Sequence, residues 1–137
     1  MLDYIELGKR NARCFVVNCK VMNESILAVD DEPLILKTIE KALTKTGYNV
    51  KGVSSVEDFM DAIRKETFDL LVIDLHLGGM SPDAFLKKVR ELALHSKILV
   101  ISGSVAGLSG RYFLQKPFRI EELRQRVREI LDEPGFD

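Results

Sequence analysis

Tryptophan is absent from this 137-residue chain, and cysteine and proline occur only two and four times. Cys14 and Cys19 sit in one short segment, with no second Cys or His pair to complete a zinc site, so they read as free thiols in a reducing cytosol. Nowhere is there an apolar run near the about 18 residues that a membrane-spanning helix requires. The first eleven residues carry Asp3 and Glu6 and lack the apolar stretch of a signal peptide, so a cytoplasmic location is expected, with no membrane partner. Neither sign of charge dominates: 20 basic residues face 21 acidic ones, for a net charge of -1. A balanced chain generates no global field to attract nucleic acid, and none is expected as a direct partner.

What is present fits one ordinary globular domain. Hydrophobic residues make up 46% and charged residues 30% of the chain, which excludes disordered, collagen-like and membrane-spanning classes. A single domain most often has about 100–150 residues, and one of this size buries on the order of 68% of its unfolded surface, enough to stand without disulfides. The expected division is an extension over residues 1–24, peripheral or disordered, a domain over residues 25–131, and a short tail over residues 132–137. Phe15, Val16 and Val17 offer a strand in the extension, and Met22 offers an alternative translation start.

From Ser25 onward, short β-branched runs alternate with segments of helical period, the pattern of a parallel sheet covered by helices. The runs are Ile26 to Val29, Val50 to Val53, Leu70 to Ile73, Ile98 to Ile101 and Tyr112 to Leu114. Between them, apolar residues recur at helical spacing: Ile35, Ile39 and Leu43; Val56, Phe59, Met60 and Ile63; Phe85, Val89 and Leu92; Ile120, Leu123, Val127 and Ile130. Pro33, Gly47, the pair Ser55 and Asp58, and Ser81-Pro82 supply starts and stops. Five strands and four helices follow. The segment Ser102 to Gly110 is too rich in Ser and Gly for a helix, so a loop or a single turn is expected where a fourth crossover helix would lie. The charges from Arg119 to Arg128 read as a solvated helix face, and His95 as a surface residue near a helix end.

In an open parallel sheet, ligands bind beyond the carboxyl ends of the strands. The residues there are Asp30, Asp31 and Glu32 after the first run, Asp74 after the third, Ser102 after the fourth, and Lys116 just past the fifth. Carboxylates brought together repel one another unless a cation lies between them. Mg²⁺ suits an all-oxygen site of one or two carboxylates completed by water and a substrate phosphate. Such a site leaves Asp74 as a carboxylate nucleophile, with Lys116 and Ser102 as partners for phosphoryl oxygens.

Four motifs in this order carry a resemblance: Ile26-Leu27-Ala28-Val29-Asp30-Asp31-Glu32-Pro33, Leu70-Leu71-Val72-Ile73-Asp74-Leu75, Ile98-Leu99-Val100-Ile101-Ser102-Gly103 and Leu114-Gln115-Lys116-Pro117-Phe118. Through them the chain resembles the receiver domain of bacterial two-component response regulators over about four-fifths of its length. The resemblance implies a flavodoxin-like, doubly wound α/β fold with five parallel strands in the order 2-1-3-4-5, here with its fourth helix missing or shortened. It implies that Asp74 accepts a phosphoryl group from a sensor histidine kinase or a phosphotransfer protein. Asp31 would ligate Mg²⁺ directly and Asp30 largely through water, with Asp74 and the backbone carbonyl of His76 completing the protein ligands. Ser102 would report the phosphate, Lys116 would bind it, the peptide before Pro117 would be cis, and Phe113 would stand at the aromatic switch position.

Two departures accompany the resemblance. Gly78 and Pro82 stand where the family usually has Pro and then Gly, and the fourth crossover is short. The function this implies is a phosphoaccepting signalling domain rather than an enzyme, capable at most of Mg²⁺-dependent self-phosphorylation and autodephosphorylation. Its downstream protein target is unspecified, and a homodimer is one assembly it could form. Two alternatives stay open: a degenerate receiver that binds partners without phosphorylation, and a phosphatase of the haloacid-dehalogenase type. Only residues 132–137 follow the domain, so an output domain in this chain is not expected, which leaves a stand-alone regulator or a receiver cut from a longer protein.

Overall fold

A computed structural model describes residues 24–75, 77, 81–103 and 112–134. The expectations for Cys14, Cys19, the Phe15 to Val17 run, His76 and Gly78 lie outside the described residues, as do those for residues 104–111. In chain order the elements are β1 (Ser25–Val29), α1 (Pro33–Lys45), β2 (Asn49–Val53), α2 (Val56–Lys65), β3 (Leu70–Asp74), α3 (Pro82–Leu92), β4 (Lys97–Ser102), β5 (Phe113–Gln115) and α4 (Ile120–Asp132). All strand pairings are parallel and the sheet order is β2-β1-β3-β4-β5, the doubly wound arrangement expected from the sequence. Four described helices fit a shortened fourth crossover.

Local chemistry sets the boundaries. Pro33 opens α1, where its missing N–H costs nothing, and Gly47 follows the helix end with φ at 106°, a left-handed conformation that an L side chain rarely adopts. Ser55 Oγ accepts the Asp58 N–H at 3.1 Å to start α2, and Ser81 Oγ accepts the Ala84 N–H at 3.2 Å to start α3. Glu122 Oε1 accepts the Arg119 N–H at 2.8 Å ahead of α4.

Strand side chains alternate between two buried faces, as a parallel sheet covered on both sides requires. Ile26, Ala28, Leu70, Val72, Leu99 and Ile101 pack with Ile39 and Leu43 of α1 and with Leu123, Val127 and Ile130 of α4. Leu27, Val29, Leu71 and Ile73 pack with Phe59 and Ile63 of α2 and with Phe85 and Val89 of α3. The Phe59 and Phe85 rings meet with centroids 5.7 Å apart at 60°, close to the tilted geometry that aromatic quadrupoles favour.

The amino ends of the strands are tied together by hydrogen bonds. Asp69, just before β3, accepts the Ser25 N–H through Oδ2 at 2.8 Å and donates its own N–H to Ser25 O at 2.9 Å. Its carbonyl accepts the Lys97 N–H at 3.0 Å, so one residue fastens the starts of β1, β3 and β4. Lys97 Nζ donates to the carbonyls of Ile130 at 3.0 Å, Leu131 at 3.3 Å and Glu133, supplying a charged donor to the oxygens at the end of α4.

Several expectations are corrected. β5 begins at Phe113 rather than Tyr112. Tyr112 is 50% exposed, and its hydroxyl donates to Glu133 Oε1 at 2.6 Å. Leu92 and Ile120 keep the helical period of their neighbours but sit at helix ends and are exposed. The arginines of α4 are not simply a solvated face. Arg124 Nε donates to Ala42 O at 3.1 Å and Arg126 Nη1 to Phe113 O, while Arg128 donates to Tyr48 Oη and pairs with Glu24 and Asp132. Their long apolar stems reach across the helix junction while the charged heads find partners there. His95 is exposed beyond the end of α3, as expected.

Candidate functional site

The carboxyl ends of β1, β3, β4 and β5 deliver four chain segments to one edge of the sheet. Asp30 follows β1 directly and is fully buried. Its Oδ1 accepts the Glu32 N–H at 2.9 Å, a local turn that carries the chain from the strand into α1. Asp74 closes β3 and is also buried. Carboxylate oxygens of Asp30, Asp31 and Asp74 lie within 4.8 Å of one another, with Asp31 facing solvent.

Lys116 reaches this group from the end of β5. Its Nζ stands 2.9 Å from Asp30 Oδ2, 2.9 Å from Glu32 Oε1 and 3.4 Å from Asp74 Oδ2. The lysine is placed through its backbone, because its N–H donates to Ser102 O at 2.8 Å and the Lys116-Pro117 peptide is cis, as expected. Ser102 ends β4 at 1% exposure, beside Gln115 in the β4–β5 register. The Phe113 ring, three residues before the lysine, is buried at 8% exposure.

Charge crowding shows in the protonation equilibria. Burial raises the Asp30 carboxyl above its ordinary value and Asp74 adds to the rise, while Lys116 and the Glu32 N–H act against it. Burial alone would pull the Lys116 ammonium down, but its hydrogen bond to Glu32 and the close negative charges of Asp30 and Asp74 hold it above the usual lysine range. The lysine therefore stays protonated at any physiological pH.

The donor set fits a hard divalent cation. Asp30 Oδ2 is buried and has no well-aligned hydrogen bond, its charged neighbour being Lys116 Nζ at 2.9 Å. Together with Asp31 and Asp74 it offers three all-oxygen ligands on one side, the incomplete set that leaves Mg²⁺ room for water and a phosphate oxygen. Thus the structure brings together Asp30, Asp31, Asp74 and Lys116, with Ser102 supporting Lys116 through its carbonyl. Glu32 was visible in the sequence as part of the acidic run, yet nothing in its spacing signalled that it would pair with Lys116.

Comparison with known proteins gives one consistent picture. Residues 26–128 match the response regulator receiver domain family. The transcriptional regulatory protein YvrH of Bacillus subtilis is 34% identical over 119 residues, covering 80% of this chain and 49% of that protein. The response regulator ArlR of Staphylococcus aureus is 33% identical over 113 residues, covering 77% of this chain and 52% of its own. The chain spans about half the length of the curated relatives it matches. Among solved structures, the CheY-like receiver domain protein of Methanospirillum hungatei superposes with a TM-score of 0.71 at 25% identity, over 80% of this chain and 94% of that one. The receiver domain of the hybrid histidine kinase CckA does so with a TM-score of 0.69 at 30% identity, over 79% of this chain and 99% of that one.

Proposed function

This chain belongs to the response regulator receiver domain family over residues 26–128, and from that premise we propose that Asp74 is its phosphoacceptor. Response regulators work with histidine kinases and downstream targets, so the donor proposed here is a phosphohistidine on a sensor kinase or a phosphotransfer protein. The observation that carries the reading is the cluster of Asp30, Asp31 and Asp74 with the Lys116 ammonium against it.

An Asp74 carboxylate oxygen forms the new P–O bond as the donor's P–N bond breaks, and the departing imidazole nitrogen takes up a proton. Asp30, Asp31 and Asp74 would hold Mg²⁺, which when bound neutralises charge on the phosphoryl oxygens. Lys116 Nζ, already 3.4 Å from Asp74 Oδ2, supplies a permanent positive charge beside the acceptor. The Ser102 hydroxyl, at the end of the neighbouring strand, donates to a phosphoryl oxygen. Phe113, on β5 three residues before Lys116, is the residue whose packing would carry the change outward to a protein target. The domain would act as a phosphoacceptor in signalling rather than as an enzyme on a diffusible substrate. Among the described residues no helix is long and apolar enough to cross a membrane.

Intact mass after incubation with Mg²⁺ and a small-molecule phosphodonor tests this. One phosphoryl adduct is expected, lost in Asp74→Ala and after chelation of the metal. An adduct that survives in Asp74→Ala would place the acceptor elsewhere.

A further inference from the structure

Lys116 Nζ has three hydrogens to donate, and three carboxylates surround it: Asp30 at 2.9 Å, Glu32 at 2.9 Å and Asp74 at 3.4 Å. Hydrogen bonds to Glu32 and Asp74 already take up two of its donors, and Asp30 stands against it as an ion pair, before any ligand arrives. A phosphoryl group on Asp74 needs one of them. Asp30 is almost fully enclosed, its side chain 1% exposed, so it has no space to withdraw. Asp74 carries the incoming group itself. The Glu32 side chain is 61% exposed and lies on the solvent side of the lysine, so it alone among the three can swing away.

We propose that Glu32 is a placeholder anion, occupying the outward donor of Lys116 until a phosphoryl group displaces it. It is a positioning residue that competes with the phosphoryl group and takes no part in bond making. Its backbone is fixed by the 2.9 Å bond from its N–H to Asp30 Oδ1 and by Pro33 behind it, so the side chain is tethered at the mouth of the site. The ligand it resists is a tetrahedral or trigonal phosphate-like anion. A carboxylate that must leave weakens such anions at equilibrium and, by returning to Lys116, favours the unphosphorylated state. An exposed ion pair of this kind is worth on the order of 1 kcal/mol, or about a fivefold change in an equilibrium constant.

The proposal rests on the Asp74 reading, so the test separates the two. Beryllium fluoride, a phosphoryl mimic, is titrated at saturating Mg²⁺ into the wild-type chain and into Glu32→Gln, with ¹⁹F NMR as the readout at low and high salt. The expected result is about fivefold tighter binding in Glu32→Gln at low salt, shrinking toward the wild-type value at high salt as the competing charge is screened. Mg²⁺ affinity measured without beryllium fluoride should change less than beryllium fluoride affinity. If the wild type binds beryllium fluoride and Glu32→Gln binds it no tighter, the placeholder role is overturned while the Asp74 reading stands. An equal change in Mg²⁺ affinity would assign the effect to metal binding and also overturn it. If the wild type binds no beryllium fluoride at all, both readings fall.

Discussion

Lys116 Nζ and Asp30 Oδ2 stand 2.9 Å apart, and the acid is the more deeply enclosed partner, with its side chain 1% exposed against 14% for the lysine. The two equilibria consequently move in the same direction. Burial outweighs the lysine at Asp30 and raises its carboxyl, while the surrounding carboxylates outweigh burial at Lys116 and raise its ammonium. The pair is strained on the acid side and satisfied on the base side, a division suited to a site that awaits a second cation.

Asp30→Asn should therefore stabilise the metal-free protein at neutral pH. A carboxyl raised in the folded state contributes stability that is present below its unfolded pKa, about 3.9, and lost as pH rises through the folded value. At pH 7 the ionised group is a net cost. The expected gain is about 1 kcal/mol, or about 3–5 °C in Tm for a domain of this size, fading toward acid. Thermal melts in chelator at pH 7 and pH 4 check it, and an unchanged or lower Tm at pH 7 would refute the account.

Lys116→Met should do the reverse. It leaves Asp30 and Asp74 facing each other without their cation, a defect costing about 3 kcal/mol when a buried pair is broken. The raised lysine contributes stability that is fully present below the unfolded lysine pKa and lost only above the folded one, so the loss should be flat across neutral pH. Urea denaturation in chelator measures it. Saturating Mg²⁺ should recover part of the loss, because the ion supplies the missing positive charge, and no recovery would count against the metal site.

Ser102→Ala should keep Lys116 in place, since the bond that positions the lysine uses the Ser102 carbonyl at 2.8 Å rather than its hydroxyl. Phosphoryl uptake from a small donor should fall about tenfold, the usual loss for one hydrogen bond to a charged group. Time-resolved intact mass reads the rate, and an unchanged rate would remove the serine from the site.

Lys97→Met should loosen the end of α4. The wild-type ammonium serves the carbonyls of Ile130, Leu131 and Glu133, and its loss should cost about 1–3 kcal/mol. Amide hydrogen exchange should quicken at Glu133, whose N–H donates to Ile130 O at 3.2 Å, while Leu123 near the start of the helix keeps its protection. Uniform quickening along α4 would mean that the lysine does not act as an end cap.

Much of the architecture was legible because each strand and helix answers to its own local pattern. Leu70 to Ile73 read as a run buried on both faces, and Ser55 with Asp58 read as a helix start; both hold. The acidic run, Asp74, Ser102 and Lys116 were found because strand ends in such a sheet share one edge. Periodicity cannot tell where a helix outruns its sheet, so Leu92 and Ile120 share the helical spacing of buried neighbours and are nevertheless exposed. Nor could composition show that Arg128 reaches Glu24 and Tyr48, or that Glu32 reaches Lys116, because those pairs exist only once distant segments are folded together.

The fastening of β1, β3 and β4 through Asp69 lies at the end of the sheet opposite the charges. Failure there and failure at the acidic edge would have different characters. Because strand side chains alternate, a slip of one residue at the fastened end reverses both apolar faces together, and the outcome is all or none. At the charged end an exposed side chain such as Glu32 trims affinity by a limited amount and leaves the frame standing. The molecule thus confines graded variation to one rim, where signalling strength can be adjusted in small steps, and keeps the abrupt kind at the other.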